Sequence, residues 1–310
     1  MSHTPANPGL AGPQVQQYQT HDGGGSAQPF RLAEGGLVAR GTRLSFRFDG
    51  QMYHGHPGDT LASALLANGV RLVGRSFKYH RPRGIYTAGS EEPNALVELR
   101  TGARKEPNTR ATVAELYEGL VATSQNRWPS LAFDVGEVNN LLSPFLAAGF
   151  YYKTFMWPIS FWEKYEVLIR RAAGMGSAAR EPDPDRYAHR NAHCEVLVVG
   201  AGPAGLAAAR AAATSGQRVV LVDENPRVGG WLWRENQTVE GNPGAEWLAG
   251  IQRELEDAGV RILTRTTAFG YYDDNLIGCV ERVQDHVAVP GEHLPRQRLW
   301  RIRARRVILA

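Results

Sequence analysis

Residues 196–224 read VLVVGAGPAGLAAARAAATSGQRVVLVDE, and their order decides the fold. A short apolar run, 196–199, has the character of a buried strand. Gly200, Gly202 and Gly205 follow at the G-x-G-x-x-G spacing. An alanine-rich helix is predicted over 203–215, with Gly216 ending it, and 219–222 forms a second apolar strand. Asp223 and Glu224 close that strand, about 20 residues beyond the glycines, where a dinucleotide fingerprint requires an acid.

Each position has a physical task. Gly200 permits the tight turn out of the strand, Gly202 lets backbone approach a pyrophosphate, and Gly205 lets helix and strand pack closely. Gly200, Ala201, Gly202, Pro203, Ala204 and Gly205 therefore form the expected pyrophosphate cradle at a helix N-terminus. Asp223, with Glu224 as its rival, is expected to hold a ribose hydroxyl, and its charge disfavours the 2′-phosphate of NADP. NAD and FAD both satisfy the pattern; a fold that kept its glycines for packing alone is the competing reading. Gly229 and Gly230, just past the second strand, are expected to line the far side.

The 310 residues suffice for two or three domains, and 43% hydrophobic content is that of a globular chain. No run of 18 or more apolar residues occurs, and the N-terminus lacks a charged-then-apolar leader pattern, so the expected location is cytoplasmic. Cys194 and Cys279 match no metal spacing and read as reduced structural residues. The net charge of +4 comes with no nucleic-acid motif, so the arginines read as solvated or interfacial.

Residues 1–33, rich in Gly, Pro, Gln and Ser, read as a flexible tail. Beyond it Leu44, Phe46 and Phe48 alternate with polar residues, Asp49-Gly50 makes a turn, and residues 52–55 return as a hairpin. Asp59 or Thr60 caps a helix over 61–68 with Leu61, Leu65 and Leu66 inward, and 95–99 is a further strand. Hairpin, helix, strand is the order of a ferredoxin-like β-grasp domain. A plant-type ferredoxin carries C-x₄-C-x₂-C in the following loop. Here residues 74–90 hold no cysteine, so the expectation is a ferredoxin-like shell without a metal. His80, among arginines, reads as a surface or interface histidine.

Residues 110–127 read as a helix with Val113, Leu116, Leu120 and Val121 on one face. The aromatic stretch 145–165 serves either a core or a subunit interface. Residues 171–192 read as a linker. After the fingerprint come a helix over 245–258, a third parallel strand over 260–263, and an antiparallel excursion over 265–305. An apolar strand, 306–310, ends the sequence where flavoproteins of this layout continue, so further chain is expected to follow.

Three stretches are more distinctive than the fingerprint: GRSFKYHRPRGIYTAGSEEPNALVE at 74–98, YEGL with SQNRWPS within 117–130, and LLSPFLAAGFYYKTFMWPISFW at 141–162. With GAGPAG they resemble the α subunits of heterotetrameric sarcosine oxidases. The resemblance implies an enzyme with α, β, γ and δ subunits that oxidises sarcosine to glycine. Oxygen becomes hydrogen peroxide, and the one-carbon unit leaves as formaldehyde, or as 5,10-methylenetetrahydrofolate when tetrahydrofolate is present. It further implies non-covalent NAD on the α subunit, FAD and covalent FMN with the β subunit, and a folate-binding region in the C-terminal half of α. By the same resemblance, Thr267 and Ala268 meet the adenine through backbone groups.

The expected organisation is thus α/β. A tail at 1–33 precedes a ferredoxin-like β-grasp domain without cluster cysteines at 34–105. A helical and aromatic interface segment at 106–170 and a linker at 171–192 lead to an incomplete Rossmann-type domain at 193–310. No residue reads as a catalytic acid, base or nucleophile, or as a metal ligand. Two other functions compete: a flavin- or NAD-linked amine or amino-acid dehydrogenase α subunit, and a non-catalytic nucleotide-binding assembly module.

Overall fold

A computed structural model describes residues 28–34, 36, 38–144, 149, 157–233 and 237–310. Its first sheet starts from the expected hairpin, β1 (Leu44–Phe48) against β2 (Gln51–Gly55). Helix α1 (Leu61–Ala67) follows, capped by Thr60 in a reciprocal capping box with Ser63. Asp59 does not cap; it is buried and accepts a bidentate pair from Arg31 at 2.8 and 2.7 Å. Leu61 and Leu65 are buried as expected, whereas Leu66 faces solvent. A two-residue ladder, β3 (Gly74–Arg75) with β4 (Pro82–Arg83), pins the next loop before β5 (Leu96–Leu99).

The sheet then takes in residues expected to lie outside it. β6 (Glu106–Arg110) and β7 (Leu120–Ser124) join in the order β2-β1-β7-β5-β6. The helix expected over 110–127 is therefore absent, and β7 is the central strand, parallel to β1 and antiparallel to β5. Its burial alternates residue by residue, and Leu120 is fully buried. The sheet thus runs past the expected boundary at residue 105. Phe46, Leu61, Leu65, Val73, Val97 and Leu120 centre its core.

Gln28 and Phe30, inside the expected tail, bond to the first domain: Gln28 donates to the His54 carbonyl and Phe30 N–H to the Ala67 carbonyl. Residues 1–27 lie outside the described ones. Of the expected aromatic stretch 145–165, residues 145–148 and 150–156 are likewise outside the described ones. Of its described aromatics, Trp157, Phe161 and Trp162 are exposed and Tyr165 is half-buried; Phe161 caps and Trp162 opens α3 (Trp162–Ala172), which follows the short α2 (Val138–Leu141).

Glu92 organises the loop between β4 and β5. Its side chain is completely buried and accepts from the backbone N–H groups of Tyr86, Thr87, Asn94 and Ala95 at 2.6–3.3 Å. Burial raises the pKa of its carboxyl group, but the four N–H groups together outweigh that and hold it below the ordinary 4.5. Glu92→Gln is expected to cost about 3 kcal/mol at neutral pH, read by urea denaturation, because donors lose an anionic acceptor. A carboxyl depressed in the folded state stabilises fully above its unfolded pKa and loses that contribution on acidification. The gap between wild type and variant should therefore be constant above pH 4.5 and close below it.

The second sheet runs from edge to edge through residues 261–263, 219–222, 187–199, 297–309, 276–282 and 266–272. β8 (Tyr187–Val199) begins inside the expected linker and pairs in parallel with β15 (Gln297–Leu309) over its whole length. Helix α4 (Pro203–Thr214) leads to β9 (Val219–Val222). The small ladder β10 (Thr238–Val239) with β11 (Asn242–Pro243) precedes α5 (Gly244–Asp257), which buries Trp247, Leu248, Ile251 and Leu255. β12 (Arg261–Leu263) is the expected third parallel strand. The antiparallel excursion is β13 (Thr266–Tyr272) and β14 (Leu276–Arg282), turning at Asp273–Asn275. Both cysteines are buried and free, and burial pushes each thiol up to about 11, which suits packing rather than thiolate chemistry.

Candidate dinucleotide-binding site

The turn leaving β8 is built on backbone contacts that only glycine allows. Gly200 has φ +101°, and a Cβ there would lie 2.4 Å from the Ala310 carbonyl oxygen. A Cβ on Gly205 would sit 1.9 Å from the Gly200 carbonyl oxygen, so α4 packs directly on the turn. Gly202 is different: a Cβ there meets nothing within 4 Å. It is the N-cap of α4, Pro203 occupies the first turn, Ala204 is exposed, and no side chain caps the helix. An open face above a glycine, beside an uncapped helix N-terminus, suits the pyrophosphate of a dinucleotide.

Three of the other expected residues, Gly229, Gly230 and Asp223, gather on this loop. Gly229 N–H donates to the Ala201 carbonyl at 2.7 Å, and Gly230, at φ +53°, lies so close that its Cβ would be 3.2 Å from the Gly202 Cα. Asp223 is buried. One of its oxygens accepts from Ala201 N–H at 2.6 Å, and the other accepts from Asn225 N–H at 2.7 Å and Asn225 Nδ2 at 3.0 Å. The carboxylate therefore braces the glycine loop, a task the sequence reading did not foresee. Glu224 turns toward the first domain, where its Oε1 accepts from Ser90 Oγ at 3.0 Å.

Thr267 and Ala268 sit on β13, opposite Val280 and Cys279. The strand starts beside the site, since Thr266 N–H donates to the Asp223 carbonyl at 2.7 Å. The Ala268 side chain packs into the core around Cys194, Leu197 and Ile302. Residues that the sequence reading missed are Asn225, Ser90 and, from β14, Arg282. Asn225 carried a readable signal, because an Asp-x-Asn pair at a strand end favours local side-chain-to-backbone bonds.

The first domain carries a second arrangement in the loop where ferredoxins hold a cluster. His80, expected at the surface, is buried at φ +52°, with Nδ1 2.6 Å from Asp134 Oδ2. Asp134 also accepts from the N–H groups of Trp128 and Gly136. Arg75 donates to the carbonyls of Leu131 and His80 and to Glu137, while Asn126 donates to the Arg75 carbonyl. Residues 41–127 contain no cysteine, and both cysteines lie in the core of the other sheet. Thiolate ligation of a 2Fe–2S cluster therefore does not fit this loop. Among the described residues, no group of three or more His, Cys, Asp or Glu side chains is placed to hold a metal ion.

Comparison with known proteins agrees with the two halves. Residues 41–127 match a family described as "2Fe-2S iron-sulfur cluster binding domain", and residues 195–276 match "FAD dependent oxidoreductase". In fold, the chain is similar to the L-proline dehydrogenase from P. horikoshii, with TM-score 0.52 and 19% identity over 87% of this chain and 41% of that one. The class is thus an α/β chain in which a ferredoxin-like domain is joined to a Rossmann-type FAD/NAD-binding fold. Over 91% of its length the chain is 61% identical to sarcosine oxidase subunit alpha of Rhizobium meliloti (strain 1021). It is 38% identical over 92% of its length to sarcosine oxidase subunit alpha of Corynebacterium sp. (strain U-96). The chain spans 29% and 26% of the lengths of these two relatives.

Proposed function

We propose that this chain is the dinucleotide-binding portion of a sarcosine oxidase α subunit and that the dinucleotide is NAD. The observation that carries the reading is the open face at Gly202, set between the α4 N-terminus and the Gly229-Gly230 turn. Gly200, Ala201, Gly202, Pro203, Ala204 and Gly205 cradle the pyrophosphate by backbone. Asp223 holds that cradle in shape, and it or Glu224 meets the ribose. Thr267 and Ala268 offer backbone to the adenine, and Gly229 with Gly230 closes the far side. Bound there, a dinucleotide supplies a ring capable of hydride transfer.

The whole enzyme, on this reading, demethylates sarcosine to glycine with hydrogen peroxide. Its other product is formaldehyde or 5,10-methylenetetrahydrofolate. FAD and FMN sit with the β subunit, and γ and δ complete a cytoplasmic heterotetramer. The present portion serves as NAD site and scaffold. Among the described residues, no helix is long and apolar enough to cross a membrane.

A second reading, FAD in this same site, is favoured by the family match over residues 195–276. One experiment separates them: purify the full-length protein with its accompanying subunits, denature it, and identify each non-covalent nucleotide by mass and absorbance. Stripped α subunit is then titrated with NAD and with FAD. Tight rebinding of NAD supports the proposal, tight rebinding of FAD alone transfers the site to flavin, and binding of neither sinks both.

A further inference from the structure

The end of β9 is gripped from outside its own domain. Glu115 belongs to the first domain, where Leu116 N–H donates to the Asp59 carbonyl and Glu115 itself bridges to Thr60. Its carboxylate takes both arms of Arg265, at 2.7 and 2.8 Å. Arg265 N–H donates to the Asn225 carbonyl at 2.9 Å, and Asn225 in turn holds the Asp223 carboxylate. A second arm runs through Arg282. One guanidinium nitrogen donates to the Val113 carbonyl of the first domain at 2.9 Å, and the other donates to the Glu224 carbonyl at 2.5 Å. Arg282 N–H also donates to the Arg265 carbonyl at 2.9 Å, which joins the two arms. Ser90, again from the first domain, adds the bond to the Glu224 side chain.

These contacts converge on residues 223–225 and, through Asp223, on Ala201 N–H in the glycine loop. We infer that Glu115, Arg265 and Arg282 are positioning residues for the dinucleotide site, and that the ferredoxin-like domain acts as its clamp. A guanidinium that is bidentate to a carboxylate fixes direction as well as distance, and each arginine here spans both domains. A ferredoxin-like domain without cysteines in residues 41–127 keeps a function on this account: it sets the strand end that shapes the cradle. The inference rests on the dinucleotide reading above.

The test uses the full-length protein with its subunits, stripped of nucleotide and titrated with NAD and FAD by calorimetry, alongside thermal unfolding. Glu115→Gln and Arg282→Lys are expected to weaken nucleotide binding roughly tenfold, the scale of coupling between communicating sites. Exchanging the partners, Glu115→Arg with Arg265→Glu, should restore much of the loss. Ser90→Ala removes one exposed hydroxyl contact and should fold normally, so its smaller weakening keeps the test alive if the charge variants fail to assemble. Unchanged affinity in variants of a wild type that does bind overturns the clamp and leaves the dinucleotide reading standing. A wild type that binds neither nucleotide overturns both.

Discussion

Gly205→Ala should leave the protein without its dinucleotide and about 3 kcal/mol less stable. The reason is a backbone contact. The new methyl group would lie 1.9 Å from the Gly200 carbonyl oxygen and 3.3 Å from the Ala310 Cβ. Neither neighbour is a flexible side-chain tip, so α4 must move away from the turn, taking its N-terminus with it. Loss of about 3 kcal/mol of binding is a factor of more than a hundred in affinity. Gly202→Ala is the informative contrast. Its backbone, at φ −70°, accepts alanine, and the methyl group meets no protein atom within 4 Å. Thermal stability should hardly change, while nucleotide binding should fall because the methyl group enters the space reserved for pyrophosphate. Melting curves and nucleotide titration on both variants decide the matter. Equal binding by Gly202→Ala would remove the pyrophosphate from this loop.

Arg296→Ala is expected to cost about 3–5 kcal/mol, the range for breaking a buried ion pair by removing one partner. Arg296 is 5% exposed and contacts three carboxylates: Asp285 at 2.6 Å, Asp185 at 3.5 Å, and Glu106. Burial alone would lower the pKa of the guanidinium group, but the carboxylates outweigh that and raise it. Glu106 lies on β6 and Asp285 beyond β14, so the same side chain joins the two sheets. Arg100 reinforces the joint through the Asp285 carbonyl at 2.9 Å. Truncation leaves Asp185, almost wholly buried, with Arg104 at 2.9 Å as its remaining cation and its Oδ2 facing the gap. Calorimetry should show one unfolding transition in the wild type and two in the variant, as the domains lose their shared joint. A single transition at an unchanged temperature would show that the joint contributes little.

The nucleotide half was legible because its signals are local. An apolar run, three glycines, a helix with an apolar face and a second apolar run each fall within a few residues, and tertiary packing agrees with them. The hairpin and its capped helix were legible for the same reason. β7 was not. Val113, Leu116, Leu120 and Val121 fit a helical face, but residues 120–124 gain more by inserting between β1 and β5, a pairing some 70 residues distant in sequence for β1. His80 was misplaced because its sequence neighbours are cationic, while the Asp134 that buries it is 54 residues away. The fingerprint alone points Asp223 toward a ribose hydroxyl. One backbone N–H it accepts from, that of Ala201, belongs to a loop 22 residues earlier, and nothing in the motif shows where a short carboxylate will spend its two oxygens.

The pairing of β8 with β15 bears on how this chain can be divided. At about 3.3 Å per residue, a 13-residue strand is a rod of roughly 40 Å. It starts at Tyr187, opposite Gln297 and next to the Arg296 joint, and it ends at Val199 beneath the glycine loop. Excising the second half at residue 193 would cut that rod near its middle. Residues 297–302 would then lose the partners that 187–192 supply and present an open parallel edge to other copies. An excised nucleotide domain that starts ahead of Tyr187 keeps this edge covered.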